Sequence, residues 1–170
     1  ALAHQKIKRW VALGALGAKN DSGVYVKDWN FFQNNTAAYT GYVIKNFKNP
    51  IYFVDGGSSV MTGKSLAHTP SGNIVRTAYR DWLWNYEGKT PLDQRPSWDL
   101  VTVLFAVEGD KEFFTVFDEG YLDFDSEKGC YWNSEIDTAL NQHFVLQKPG
   151  VGKNLADYLN EMIANRGCEN

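Results

Sequence analysis

The chain has 170 residues, 44% of them hydrophobic and 15% aromatic, enough for one domain of ordinary size with a substantial apolar core. A formal charge of −3 speaks against nucleic acid as a partner, because such proteins carry a basic patch or stripe. No run of about 18 apolar residues occurs, which leaves no segment to span a membrane as a helix. After a short, mixed segment at 2–8 that reads as the end of a helix, Trp10-Val11-Ala12-Leu13 is an apolar run ending at Gly14, a buried strand. Residues 14–30 hold Gly14, Gly17, Gly23, Asn20 and Asp21 with no period and read as a long loop, the kind that is commonly functional. Asn34 or Asn35 then caps a helix to about Lys48, with Ala38, Tyr42, Val43 and Ile44 on its inner side.

Pro50-Ile51-Tyr52-Phe53-Val54, bounded by Gly56-Gly57, is a second buried strand. Residues 58–66 read as a short helix and 72–87 as a longer one rich in aromatics, with Tyr79, Trp82, Trp84 and Tyr86. Beyond Pro91 and Pro96, a helix runs from Trp98 to about Val107, apolar almost all round and therefore buried. Residues 113–125 alternate about Gly120 and predict a small β-hairpin, and His143-Phe144-Val145-Leu146 a further strand. Leu155, Leu159, Met162 and Ile163 mark the inner face of a closing helix. Strand, helix and strand at these gaps are the signature of a mainly parallel sheet with flanking helices, an α/β fold. So few strands do not make a complete doubly wound sheet, so the chain reads as the later part of a larger domain.

Several motifs are excluded on chemistry. Gly150-Val151-Gly152-Lys153-Asn154 lacks the spacing and the Ser or Thr of a phosphate loop, and Gly14-x-x-Gly17 lacks the three glycines of a dinucleotide fingerprint. The acidic stretch Asp118, Glu119, Asp123, Asp125 and Glu127 has no EF-hand spacing and alternates with Phe117, Tyr121 and Phe124 like a solvated hairpin face. His4, His68 and His143 lie too far apart for a zinc motif, and no Gly-x-Ser-x-Gly is present. Cys130 and Cys168 are either two separate thiols or one disulfide, and Asn20-Asp21-Ser22 and Asn34-Asn35-Thr36 are glycosylation sequons. These two signals lean towards an extracellular location and leave the compartment open.

Two constellations carry chemistry. In Arg95-Pro96-Ser97-Trp98-Asp99, Ser97 suits an N-cap and Asp99 the first turn of the following helix, the place where α/β sheets gather ligands. The plain alternative is that Asp99 only complements the helix dipole. In Asp28-Trp29-Asn30, a carboxylate and an amide two residues apart suit two hydroxyls of one sugar, and the plain alternative is a turn or cap.

Taken in order, Trp10–Ala15, Asp28-Trp29-Asn30-Phe31, Pro50–Val54, Met61-Thr62-Gly63-x-x-Leu66 and Arg95–Asp99 resemble the inosine–uridine-type, calcium-dependent nucleoside hydrolases. The resemblance runs from about residue 5 to about 165 and implies a nucleoside hydrolase-like, Rossmann-like arrangement of which residues 1–170 are the C-terminal part. It implies that Asp99 is a calcium ligand and that Trp98 stacks on the nucleobase where other members place a histidine. Asn30 would bind ribose hydroxyls, and Asp28 would do so where the family usually has glutamate. Asn20 is the nearest match to an upstream asparagine, and Tyr79 and Trp82 lie on the helix that often covers the base. Leu13-Gly14-Ala15 stands where many members read Met-Gly-Gly. The family's Asp-x-Asp cluster, with its catalytic base, has no counterpart here. No catalytic residue is therefore expected in this chain, and calcium, which wants 6–8 oxygens, needs donors from an N-terminal half or companion chain. The implied function is N-glycosidic cleavage of a ribonucleoside by a calcium-activated water, as part of purine metabolism, with this chain inactive alone and a homo-oligomer left open. The alternative is a non-catalytic binding or structural protein on the same fold.

Overall fold

The computed structural model describes residues 2–90, 93–110, 112–135 and 141–165. In chain order its elements begin α1 (Leu2–Lys6), β1 (Trp10–Leu13), α2 (Trp29–Phe32), α3 (Ala37–Asn46), β2 (Ile51–Asp55), β3 (Met61–Thr62) and α4 (Ile74–Tyr86). They continue β4 (Arg95–Pro96), α5 (Trp98–Glu108), β5 (Phe114–Phe117), β6 (Tyr121–Asp125), β7 (Gly129–Asn133), β8 (Gln142–Gln147) and α6 (Gly152–Asn165). Short 3-10 turns lie at Gln33–Asn35 and Lys64–His68. The described residues fall into two compact units, one from within 1–56 and 102–148, the other from within 57–101 and 149–170.

The first unit is built on a mixed, mostly parallel four-stranded sheet in the order β1-β2-β8-β5. β1, β2 and β8 run parallel, and β5 closes one side antiparallel to β8. The strand–helix–strand expectation therefore holds as β1–α3–β2, and the His143–Leu146 run is the β8 strand beside β2. β2 is apolar almost without alternation because both faces are covered, with Ile51, Phe53 and Val54 fully buried. Phe53 lies opposite Phe144 in the ladder, and neither ring is exposed. Burial of each such side chain stabilises the fold by roughly 1.5–3 kcal/mol. The β6–β7 hairpin adds Leu122, Cys130 and Trp132 to the same core, with the Trp132 ring 5.5 Å from that of Phe144.

Three expectations are corrected in this unit. The segment 113–125 is not one hairpin: β5 joins the main sheet through β8, whereas β6 pairs with β7. Gly120, at φ 117°, separates the two, and Phe114 is buried against Phe105 rather than across from β6. On α3 the buried residues are Ala37 and Ile44, while Ala38, Tyr42 and Val43 face solvent, and Asn34 and Asn35 occupy left-handed turn positions instead of capping the helix. Finally, α5 is not buried all round. Val103 and Val107, four residues apart, are 58% and 75% exposed.

The second unit packs α4, α6 and the Lys64–His68 turn around the two-residue antiparallel ladder of β3 and β4, in which Met61 faces Pro96 and Thr62 faces Arg95. The reading of 58–66 as a short helix gives way here to β3 and the 3-10 turn. Asn73, fully buried, caps α4 through the Val75 and Arg76 amides and donates to the Ile163 carbonyl at 3.1 Å. Asn160 on α6 accepts from the Gly63 amide (3.1 Å) and the Ser65 hydroxyl (3.0 Å). Leu155 and Leu159 are buried as the helical period requires, with Met162 and Ile163 half-buried. No described helix is long and apolar enough to cross a membrane.

Candidate functional site

The second unit holds a cavity of about 310 Å³ lined by Ala78, Tyr79, Trp82, Arg95, Pro96, Ser97, Asp99 and Leu100. That volume lies at the lower end of small-molecule sites. Its floor is fixed by a polar relay. Thr62 is fully buried, and its hydroxyl bonds both to the Tyr79 hydroxyl at 2.7 Å and to the Ser97 hydroxyl. Ser97 stands just before α5 and accepts the Val101 amide on its carbonyl (3.1 Å), as the N-cap expectation requires, but its hydroxyl is turned to Thr62. Gly57 completes the corner: its carbonyl receives the Ser97 amide at 3.1 Å, its φ is 98°, and a Cβ there would lie 2.5 Å from the Trp98 Cα. Only glycine meets both conditions.

Asp99 follows in the first turn of α5, where the aligned peptide dipoles favour a carboxylate. It is exposed, lines the cavity, and among the described residues no hydrogen bond or ion pair engages it. The aromatic wall comes from α4. Trp82 stacks on Tyr86 at 4.6 Å, carries the Arg95 guanidinium 5.0 Å over its ring, and donates through Nε1 to Glu87 at 3.0 Å. Glu87 is also bonded by Lys89 (2.7 Å), which with the Trp82 N–H holds its carboxyl below the usual range. Arg95 and Tyr86 were not singled out as site residues from the sequence. The four-residue spacing of Trp82 and Tyr86 on one helix was the available signal. Trp98 is half-buried and is not among the lining residues.

Asp28, Asn30 and Asn20 belong to the first unit, where each is engaged with backbone. Asp28 is 5% exposed and caps α2, accepting the Phe31 amide at 2.9 Å on Oδ1 and the Ala15 amide on Oδ2. Burial pushes its carboxyl up, and the surrounding amides of Phe31, Ala15, Asn30 and Leu16 oppose that only in part. The Asn30 amide donates to the Leu13 carbonyl at 3.1 Å, and Asn30 lines a second cavity, of about 430 Å³, beside β1 and α3. Asn20 staples its own loop, donating to the Ala18 and Val24 carbonyls and accepting the Val24 amide.

Asp55 was missed from the sequence. It ends β2, accepts the Gly17 amide at 2.6 Å, and is pushed up by burial and by the charge of Asp28. An acid closing an apolar strand just ahead of Gly56-Gly57, at the carboxyl end of a parallel sheet, was the signal to heed. Cys130 is a buried thiol pushed up to about 12 by burial and by Asp28, and Cys168 lies outside the described residues. Among the described residues no group of three or more His, Cys, Asp or Glu could hold a metal ion. No protein-family model, no curated protein and no solved structure matches this sequence.

Proposed function

We propose that this chain contributes the base-stacking wall and one metal-facing carboxylate of a nucleoside hydrolase site, which cleaves the N-glycosidic bond of a ribonucleoside once a companion segment supplies the aspartate cluster. The observation that carries the reading is the 310 Å³ cavity whose lining brings the Tyr79 and Trp82 side chains together with Asp99, a carboxylate that has no partner among the described residues. A planar base gains from such faces by stacking and burial. A ribose offers hydroxyl donors to the Asp99 carboxylate, and Arg95 adds a cation within the same lining. Asp99 is one carboxylate where calcium takes 6–8 oxygens, so these residues by themselves do not fit the ion. Calcium enters the proposal only as shared with the companion segment.

A second reading, nucleoside binding without cleavage, has its own support. Of the residues expected to hold ribose, Asp28 has both carboxylate oxygens, and Asn30 its side-chain nitrogen, on backbone partners. Titration of the chain with inosine tests the first step. Trp fluorescence is expected to quench saturably, the Trp82→Ala variant to lose most of the response, and Asp99→Asn to weaken binding. Absence of quenching at millimolar inosine would remove the nucleoside reading. Ribose release from inosine by the chain with its companion segment, with and without a calcium chelator, then separates enzyme from binder.

A further inference from the structure

The second unit has a further cavity, of about 560 Å³, that shares no lining residue with the one holding Asp99. The β3–β4 region contributes to both: Met61 and Gln94 line this cavity, whereas Pro96, opposite Met61 in the ladder, lines the other. The lining brings together Lys64 and His68, from the 3-10 turn, and Lys153, from the first turn of α6. Lys64 and His68 have no hydrogen bond or ion pair among the described residues. Lys153 is bonded to Asp157 at 2.5 Å, and Asp157 is the single acid among the lining residues.

Helix stability does not account for Lys153. The N-terminal end of a helix carries partial positive charge and disfavours a cation, and α6 has no acid in its first turn to offset it. The Lys153–Asp157 pair runs in the weaker orientation of an i,i+4 pair, with its side chains 83% and 63% exposed, so it contributes little. The walls of the cavity are nonetheless fastened together. Lys153, Ala156, Asp157 and Asn160 share one face of α6 at helical spacing. From that face Asn160 accepts the Gly63 amide and the Ser65 hydroxyl and donates to the Met61 carbonyl at 3.4 Å, which ties the turn bearing Lys64 and His68 to the helix bearing Lys153.

We propose that this cavity binds a phosphate monoester of a small polar molecule, with Lys64, Lys153 and His68 holding the phosphate. Two ammonium groups against one carboxylate leave the lining positive, and the His68 ring adds an N–H donor, a set that selects an oxyanion. The cavity falls within the range of small-molecule sites and is far larger than one tetrahedral oxyanion, so the ligand has an organic body as well. Gln94, which has no described partner, offers its amide to hydroxyls on that body. The site does not depend on the nucleoside reading and survives its failure.

Calorimetric titration of the chain with ribose 5-phosphate, inorganic phosphate and ribose, at constant ionic strength, tests the assignment. Ribose 5-phosphate is expected to bind saturably in the millimolar range or below, inorganic phosphate at least about tenfold more weakly, and ribose not at all. Lys64→Gln and Lys153→Gln should each weaken the ester about tenfold, the loss of one charged contact. Asp157→Asn should tighten it, because a competing carboxylate leaves Lys153. All three positions are exposed, so an unchanged thermal melt is expected to accompany each variant. The proposal is overturned if millimolar ribose 5-phosphate gives no saturable heat, or if ribose or inorganic phosphate binds as tightly as the ester. It is equally overturned if Lys64→Gln binds like the parent, or if Asp157→Asn weakens binding.

Discussion

Replacing Asp28 with Ala separates a structural carboxylate from a sugar-binding one. The side chain is 5% exposed, and its two oxygens receive the amides of Phe31 and Ala15, residues that are themselves 4% and 0% exposed. Alanine leaves both amides without an acceptor where water does not reach. Each buried donor left unsatisfied costs about 1–3 kcal/mol. Loss of an N-cap alone costs about 0.5–2 kcal/mol, but it overlaps with the Phe31 bond and is not added in full. Removing a carboxylate whose ionised form is disfavoured by burial returns part of the loss. The net expectation is a destabilisation of about 2–4 kcal/mol for Asp28→Ala, with Asp28→Asn, which keeps one acceptor oxygen, falling between it and the parent. Urea unfolding at neutral pH followed by Trp fluorescence measures it. A variant within about 0.5 kcal/mol of the parent, the scatter of ordinary surface substitutions, refutes the staple and returns Asp28 to the list of free sugar ligands.

Gly57→Ala is expected to cost about 2 kcal/mol or more, from a φ of 98° that side chains other than glycine rarely adopt and a Cβ pressed against the Trp98 backbone, and a thermal melt unchanged from the parent would contradict this. Asp55→Asn should change the pH profile of stability. Its folded carboxyl is raised, so protonated Asp55 favours the fold at pH values below the ordinary carboxylate range, and that contribution is lost as pH rises through the raised value. The stability difference therefore moves in favour of the variant between acid and neutral pH, and a difference flat with pH counts against it. Cys130, 1% exposed with its thiol pushed up to about 12, should resist iodoacetamide at pH 8 in the reduced native chain and react only in denaturant, as peptide mass mapping will show.

The parallel strands were legible because burial on both faces writes itself as an unbroken apolar run. Ile51–Val54 shows it, whereas Trp10–Leu13, as apolar in sequence, lies at the sheet edge and buries only Ala12, so the buried strand expected there is half-buried. α4 and α6 were legible from their period, and α5 from an Asp in the first turn behind Arg95-Pro96. What was not legible depends on partners remote in sequence. The alternation of 113–125 fits a hairpin, and nothing local says that Phe114–Phe117 prefers β8 to β6. The period that placed Val43 inwards on α3 takes no account of the groove beside the edge strand β1, which leaves that side chain open to solvent. Asn20, Asp28 and Asn30 have the residue types of sugar ligands, but the same donors and acceptors serve a loop's own amides and carbonyls equally well.

That competition is what decides between a site and a scaffold. A polar side chain already bonded to backbone must break that bond to bind a ligand, and where the bond is buried the exchange leaves an amide bare. Asp28 meets this condition fully: its carboxylate holds the Ala15 and Phe31 amides. Asp99 is the opposite case. Its carboxylate has no described partner to give up, and the Tyr79–Thr62–Ser97 relay fixes the backbone from which it projects. A ligand meeting Asp99 therefore finds a free charge on a preorganised support, the combination that makes electrostatic recognition cheap. The proposed chemistry is therefore to be tested first at Asp99 in the cavity beside Trp82, whereas the polar side chains Asn20 and Asp28 of the loop 14–28 bond that loop's own backbone.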